Sequence, residues 1–74
     1  MTFGEAVLKL RSERRISQRQ LADELNVSFT SVNRWENGRT MPNKMTVLVI
    51  RQYCNDHGLD FSYDEDEERD EDEQ

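Results

Sequence analysis

One cysteine, Cys54, is all the chain has, so no disulfide can form within it and disulfide-stapled scaffolds are excluded. A lone thiol fits a reducing compartment. Long apolar runs are missing as well. The longest, Val47 to Ile50, falls far short of the ~20 residues that a bilayer-spanning helix needs. The opening stretch, MTFGEAVLKLRSERR, lacks the apolar segment of a signal peptide. A soluble, cytoplasmic protein with no membrane partner is therefore expected. No Cys/His spacing points to a metal site, and no cofactor or small-molecule substrate is expected. There are no internal repeats.

At 74 residues the chain should form one small domain. A domain of this size buries only ~60% of the surface its unfolded chain exposes, so tight helix packing or a partner must supply the rest. The net charge of −6 conceals two unlike parts. Residues 64–74, DEDEERDEDEQ, hold nine acids and one Arg, a net −8. Residues 1–63 then hold nine Lys/Arg against seven Asp/Glu, a net +2. This divides the chain into a mildly basic domain, 1–63, and an acidic tail, 64–74. A block so charged cannot bury enough apolar surface to fold, and disorder is expected there. Two roles for the tail stand level: a solubilising extension, or a mimic of DNA charge that lies over a basic face. Recruitment of a basic partner, or a junction within a larger gene product, is a third.

Helical signals fill the domain. Phe3, Val7 and Leu10, with Ala6 beside them, recur at helical spacing. Thr2 and Glu5 form a capping box ahead of them, and the helix should fade near Arg14 or Arg15. Ser17 and Gln20 form a second box, flanked by the hydrophobic staple Ile16/Leu21. Leu21, Ala22 and Leu25 make one apolar stripe, and Asn26 can take the left-handed conformation that stops a helix. Ser28 caps a third helix at once, with Val27/Val32 as its staple, and Gly38 ends it after Asn37. Two short helices joined in this way form a helix-turn-helix connection.

Pro42 and Asn43 open a fourth segment. Its run Met45 to Ile50 is rich in β-branched residues, which favour strand. Helix is still expected through Gly58, since a lone strand would have nothing to pair with. Val47, Leu48, Arg51 and Cys54 fit one face, leaving Met45, Val49 and Ile50 over. Leu59 and Phe61 could fold back on the core.

The stretch SQRQLADELNVSFTSVNRWENGRTMP resembles the phage-repressor-like (Cro/repressor, XRE) helix-turn-helix family. The matching positions are Gln18, Leu21, Ala22, Leu25, Val27, Ser28, Val32, Trp35, Glu36, Gly38 and Pro42. The likeness covers residues 3 to about 57. Asn26 stands where Gly is usual, and no obvious fifth helix follows the fourth. The resemblance implies an all-α, compact four- to five-helix bundle of the lambda-repressor-like type. Its expected partner is double-stranded DNA, with a possible homodimer.

Elementary packing supports the same picture. Ala22 is small where the second and third helices cross, and Val32 and Trp35 face inward. The opposite face of the third helix carries Phe29, Thr30, Asn33, Arg34 and Asn37. An ordinary solvated helix face would be filled with Lys and Glu. A major groove about 12 Å wide admits one helix, and short polar side chains let it sit deep. Asn can bond adenine, Arg can bond guanine, and an apolar group can meet a thymine methyl. Phe29, Thr30, Asn33 and Arg34 are the expected base contacts, with a protein contact the equal alternative for Phe29. Gln18 opens the second helix, where free N–H groups favour a phosphate. Asn37, Arg39, Asn43 and Lys44 are the other expected phosphate contacts. Docking N-terminus first follows the family's habit.

Glu36 opposes the dipole of the third helix and needs an offsetting cation. The resemblance points to Arg11 as its partner in a structural ion pair, with Arg39 as the local competitor. Cys54 and His57 are three apart and could form a thiol–imidazole dyad, but no third group or oxyanion donor accompanies them. No enzyme is expected. The expected function is sequence-specific DNA binding in transcription regulation. The alternative is a protein-interaction adaptor, such as an antitoxin or anti-repressor. Met45, Val49, Ile50 and the Leu59–Tyr63 segment are the expected dimer contacts.

Overall fold

Among the described residues, four capped starts open four helices: α1 (Phe3–Arg14), α2 (Gln18–Leu25), α3 (Phe29–Glu36) and α4 (Lys44–Asp56). The computed structural model describes residues 1–64. Most of the acidic tail, and the disorder expected of it, lies outside the described residues. Both capping boxes form. The Thr2 amide donates to Glu5 Oε1 at 2.9 Å and the Glu5 amide to Thr2 Oγ1 at 3.1 Å. Ser17 and Gln20 repeat the pattern at 2.9 and 3.0 Å. Ser28 and Asn43 cap α3 and α4 by accepting from the amides of Ser31 and Thr46. Each such cap is worth about 1 kcal/mol.

The helix ends are equally local. Asn26 takes φ 62°, in the left-handed region, and the Val27 amide reaches back to the Ala22 carbonyl at 2.9 Å. Arg15 does the same at φ 59° with no glycine to ease it. Gly38, at φ 73°, lets the Arg39 amide close on the Arg34 carbonyl.

α3 packs chiefly on α1 and α2. Phe3, Ala6, Val7, Leu10, Leu21, Ala22, Leu25, Val32 and Trp35 are buried together, and α4 adds Val47, Ile50, Tyr53 and Cys54. The α4 face differs from the expected one. Leu48 is 60% exposed, whereas Ile50 is fully buried and so is no dimer contact. Apolar residues flank Val47 on both sides of the helix, so spacing alone could not choose between Leu48 and Ile50. Tyr53 decides it, because its hydroxyl is anchored from outside α4.

That anchor joins three helices. The Arg14 Nε donates to Tyr53 Oη at 2.9 Å, and the Tyr53 hydroxyl donates to Glu24 Oε1 at 2.5 Å. Arg14 also reaches Glu24 at 3.0 Å. The Tyr53 hydroxyl first, and Arg14 second, hold the Glu24 carboxyl below its ordinary value of 4.5. Folding lowers this pKa, so its stabilisation is complete above the ordinary value and disappears as pH falls through the lowered one. Glu24 is 37% exposed, so solvent screening keeps the effect small. Glu24→Gln should flatten the acid limb of the urea midpoint plotted against pH. An unchanged acid limb would show that the Glu24 contacts do not persist in solution.

No fifth helix follows among the described residues. Residues 59–64 are irregular and return to the start of α1. Leu59 and Phe61 pack on the core as expected, and Tyr63 is buried with them. The Phe3 ring meets Trp35, Phe61 and Tyr63 edge-on, at 5.9, 5.9 and 5.1 Å between centroids. The Asp64 amide closes on the Met1 carbonyl at 2.8 Å. Of the segment expected at a dimer contact, Tyr63 is thus buried in the chain's own core, while Leu59 and Phe61 pack against it and stay partly exposed.

Candidate nucleic-acid interface

Val32 and Trp35 hold α3 from behind, and the opposite side of the helix faces outward. Phe29, Thr30, Arg34 and Asn37 are exposed there, and Asn33 is half-buried. They fall at i, i+1, i+4, i+5 and i+8, one face of a helix. Beyond α3, Gly38, Arg39 and Thr40 are exposed, and Asn43 and Lys44 are exposed at the start of α4. Arg34, Arg39 and Lys44 make no ion pair among the described residues. Their charges stay available to a partner. The Asn43 carbonyl oxygen is committed to its cap on Thr46, which leaves its NH2 group for any other contact.

Beneath this face lies a polar network. Arg11 Nε donates to Glu36 Oε2 at 2.7 Å and Arg11 Nη2 to Glu36 Oε1 at 3.0 Å, a two-pronged pair. Arg11, not Arg39, is therefore the partner of Glu36. A third guanidinium bond, at 3.2 Å, goes to the Ile16 carbonyl and ties the pair to the α1–α2 connection. Glu36 is only 9% exposed and Arg11 21%. The Glu36 hydrogen bond raises the Arg11 pKa above its ordinary value, and partial burial opposes it. Gln18 Nε2 also donates to Glu36 Oε1, at 2.8 Å. Asn33 Nδ2 donates to Gln18 Oε1 at 3.2 Å, and Asn37 Nδ2 to Asn33 Oδ1 at 3.1 Å. Two residues expected to read bases and phosphates, Asn33 and Gln18, are thus bonded to each other across the α2–α3 packing.

Arg19 was not singled out by the sequence. Its guanidinium sits over the Phe29 ring, 4.9 Å from the centroid. The contact covers one face of the ring while Phe29 remains 39% exposed. A signal was there: Arg19 lies in the first turn of α2, where the helix dipole disfavours a cation. Such a placement asks for an anion or a π-face nearby.

The start of α1 lies against the end of α3. A cavity of about 570 Å³ opens there, lined by Thr2 to Glu5 and Trp35 to Met41, with Arg39 on its wall. Gly4 makes the approach possible. A Cβ on it would be driven into the Trp35 carbonyl oxygen and would stand 3.0 Å from that of Glu36.

The Cys54–His57 dyad does not form. His57 Nδ1 lies 2.8 Å from the Tyr53 carbonyl, and its ring packs on the Tyr53 ring at 4.3 Å. Cys54 is buried, and burial pushes its thiol up to about 11, so it holds little reactive thiolate near neutral pH. Among the described residues, no helix is long and apolar enough to cross a membrane.

Known proteins resemble this chain in sequence. The chain is 36% identical over 53 residues to the HTH-type transcriptional activator BcrR of Enterococcus faecalis, an alignment covering 72% of this chain and 26% of that protein. It is 39% identical over 64 residues to the putative multi-protein-binding factor 1 of Yarrowia lipolytica, covering 78% of this chain and 42% of that one. The chain thus spans less than half the length of either relative. No solved structure matches it significantly. The model of the helix-turn-helix family matches residues 7–57, from the middle of α1 through the end of α4. With both caps, the left-handed turn and the inward Val32 and Trp35 in place, the chain belongs to the XRE-type helix-turn-helix family.

Proposed function

We propose that the chain binds double-stranded DNA with sequence preference and regulates transcription, with α3 in the major groove. The outer face of α3 carries this reading. It offers Phe29, Thr30, Asn33 and Arg34 to base edges from a helix whose back is locked into the core. Arg34 suits guanine, Asn33 adenine, and Phe29 a thymine methyl; Thr30 serves a base or a phosphate. Gln18, Asn37, Arg39, Asn43 and Lys44 hold phosphates, and the guanidinium of Arg19 is a further contact of that kind. The Enterococcus relative, a transcriptional activator by name, supports the regulatory role.

Fluorescence anisotropy with duplex fragments across a salt series tests the reading. With about six phosphate contacts, log K should fall against log salt at a slope of roughly −5. Lys44→Ala should weaken binding to every duplex alike and make the slope shallower by about one. Absence of binding at low salt, both in the full chain and after truncation at Tyr63, would overturn the proposal.

A second reading, the protein-interaction adaptor, is favoured by one observation. Met45, Leu48 and Val49 stand 69%, 60% and 44% exposed on α4, an apolar set that the core does not use. The name of the Yarrowia relative refers to binding several proteins. The same α4 set is the surface best suited to a homodimer, since Ile50 and Tyr63 are buried in the core. Symmetric half-sites in the selected DNA would favour the dimer; protein capture without any duplex binding would favour the adaptor.

A further inference from the structure

A side-chain amide has a donor end and an acceptor end of nearly the same shape, and which end points where decides what it can recognise. In this chain three amides lie in series, and one charge orders them. Glu36, the carboxylate that takes both prongs of Arg11, serves here as an acceptor. Gln18 must therefore turn its NH2 to Glu36, which leaves its oxygen toward Asn33. That oxygen also only accepts, so Asn33 turns its NH2 to Gln18 and its oxygen to Asn37. Asn37 completes the series by donating to Asn33. Inverting any one amide would set oxygen against oxygen or NH2 against NH2.

We infer that Glu36 is a specificity-determining positioning residue: through Gln18 it fixes which way the Asn33 amide points, and so the donor–acceptor order that α3 offers to a base edge. The inference rests on the DNA-binding reading above. Asn33 keeps a second amide proton and a second oxygen lone pair for an outside partner. Adenine presents its N7 acceptor and N6 donor in a set order along the major groove. An amide of fixed polarity meets that pair in one register, and an inverted amide puts like against like. Glu36 acts at a distance from the base, through Gln18 and Asn33. The residue expected to grip a phosphate thereby also sets the readout of its neighbour.

Two measurements test this at neutral pH. In the free wild-type protein, Overhauser contacts from the side-chain NH2 groups should show single orientations for Gln18, Asn33 and Asn37. Glu36→Gln can donate or accept, so both orientations of Asn33 should appear. Because that variant can lose the fold, Gln18→Met is the second: it severs the series but retains the Arg11–Glu36 pair. Asn33 should again lose its single orientation. In selections from random duplexes, Gln18→Met should weaken the preference at one base pair about tenfold, while other positions keep theirs. A purely structural role would lower affinity on all duplexes together and leave the preferences intact. An Asn33 amide that keeps one orientation in Gln18→Met overturns the inference, whatever the DNA result. Ordered amides released by Gln18→Met, in a protein that selects no duplex, would support the positioning of Asn33 and overturn the DNA reading with its specificity role.

Discussion

Gly4→Ala is expected to destabilise the domain by about 3 kcal/mol, although the same change in an ordinary helix interior stabilises by ~1 kcal/mol. The reversal of sign comes from one approach. Gly4 is buried in α1 with the Trp35 and Glu36 carbonyl oxygens against it. Those are backbone atoms, so no side-chain rotation can make room. The added methyl must push the start of α1 away from the end of α3. Phe3 then loses its edge-on contact with Trp35, and the contacts with Phe61 and Tyr63 shift with it. A domain this small has a few kcal/mol of stability in all, so the change approaches complete unfolding at growth temperature. Urea denaturation of the two proteins measures the difference. A midpoint that rises in Gly4→Ala would show that helix propensity outweighs the contact.

Removing one side of the Arg11–Glu36 pair should destabilise by about 2–4 kcal/mol, and removing both sides should be milder than the two losses added together. Arg11→Met leaves a carboxylate that is 9% exposed, at the C-terminal end of a helix whose dipole repels it. Among the described residues, Gln18 then remains to satisfy it. Glu36→Met leaves the guanidinium with its bond to the Ile16 carbonyl and one-fifth exposure, so this side should be the less damaging. In Arg11→Met/Glu36→Met no charge is stranded, and the two methionines can fill the space. Thermal or urea unfolding of the four proteins reads the cycle. Strict additivity would mean that the two charges do not act on each other.

These effects differ in how far the sequence announces them. Capping boxes at Thr2 and Ser17, the stop at Asn26 and the stripe of Leu21, Ala22 and Leu25 depend on neighbours within a turn or two. Local pattern is enough to read them. The outward set on α3 was legible for the same reason: once Val32 and Trp35 are inside, periodicity places the rest. What spacing could not supply were contacts between distant segments. Gly4 is just a weak helix former until Trp35 is laid against it. Leu48 and Ile50 are interchangeable until Tyr53 reaches Arg14 and Glu24. The bond between Gln18 and Asn33 depends on the depth at which α3 settles on α2, which a one-dimensional pattern does not carry. Arg19 lies between these cases. Its position in the first turn was an electrostatic anomaly visible in the sequence, while its partner, Phe29, was visible only in space.

The most direct test of the central claim is a map of amide chemical shifts as a duplex selected by the protein is titrated into the labelled chain. The account predicts that the largest changes fall on Phe29 to Arg34, on Gln18 and Arg19, and on the Gly38 to Lys44 connection. Changes centred instead on Met45, Leu48 and Val49, with α3 unmoved, would contradict it.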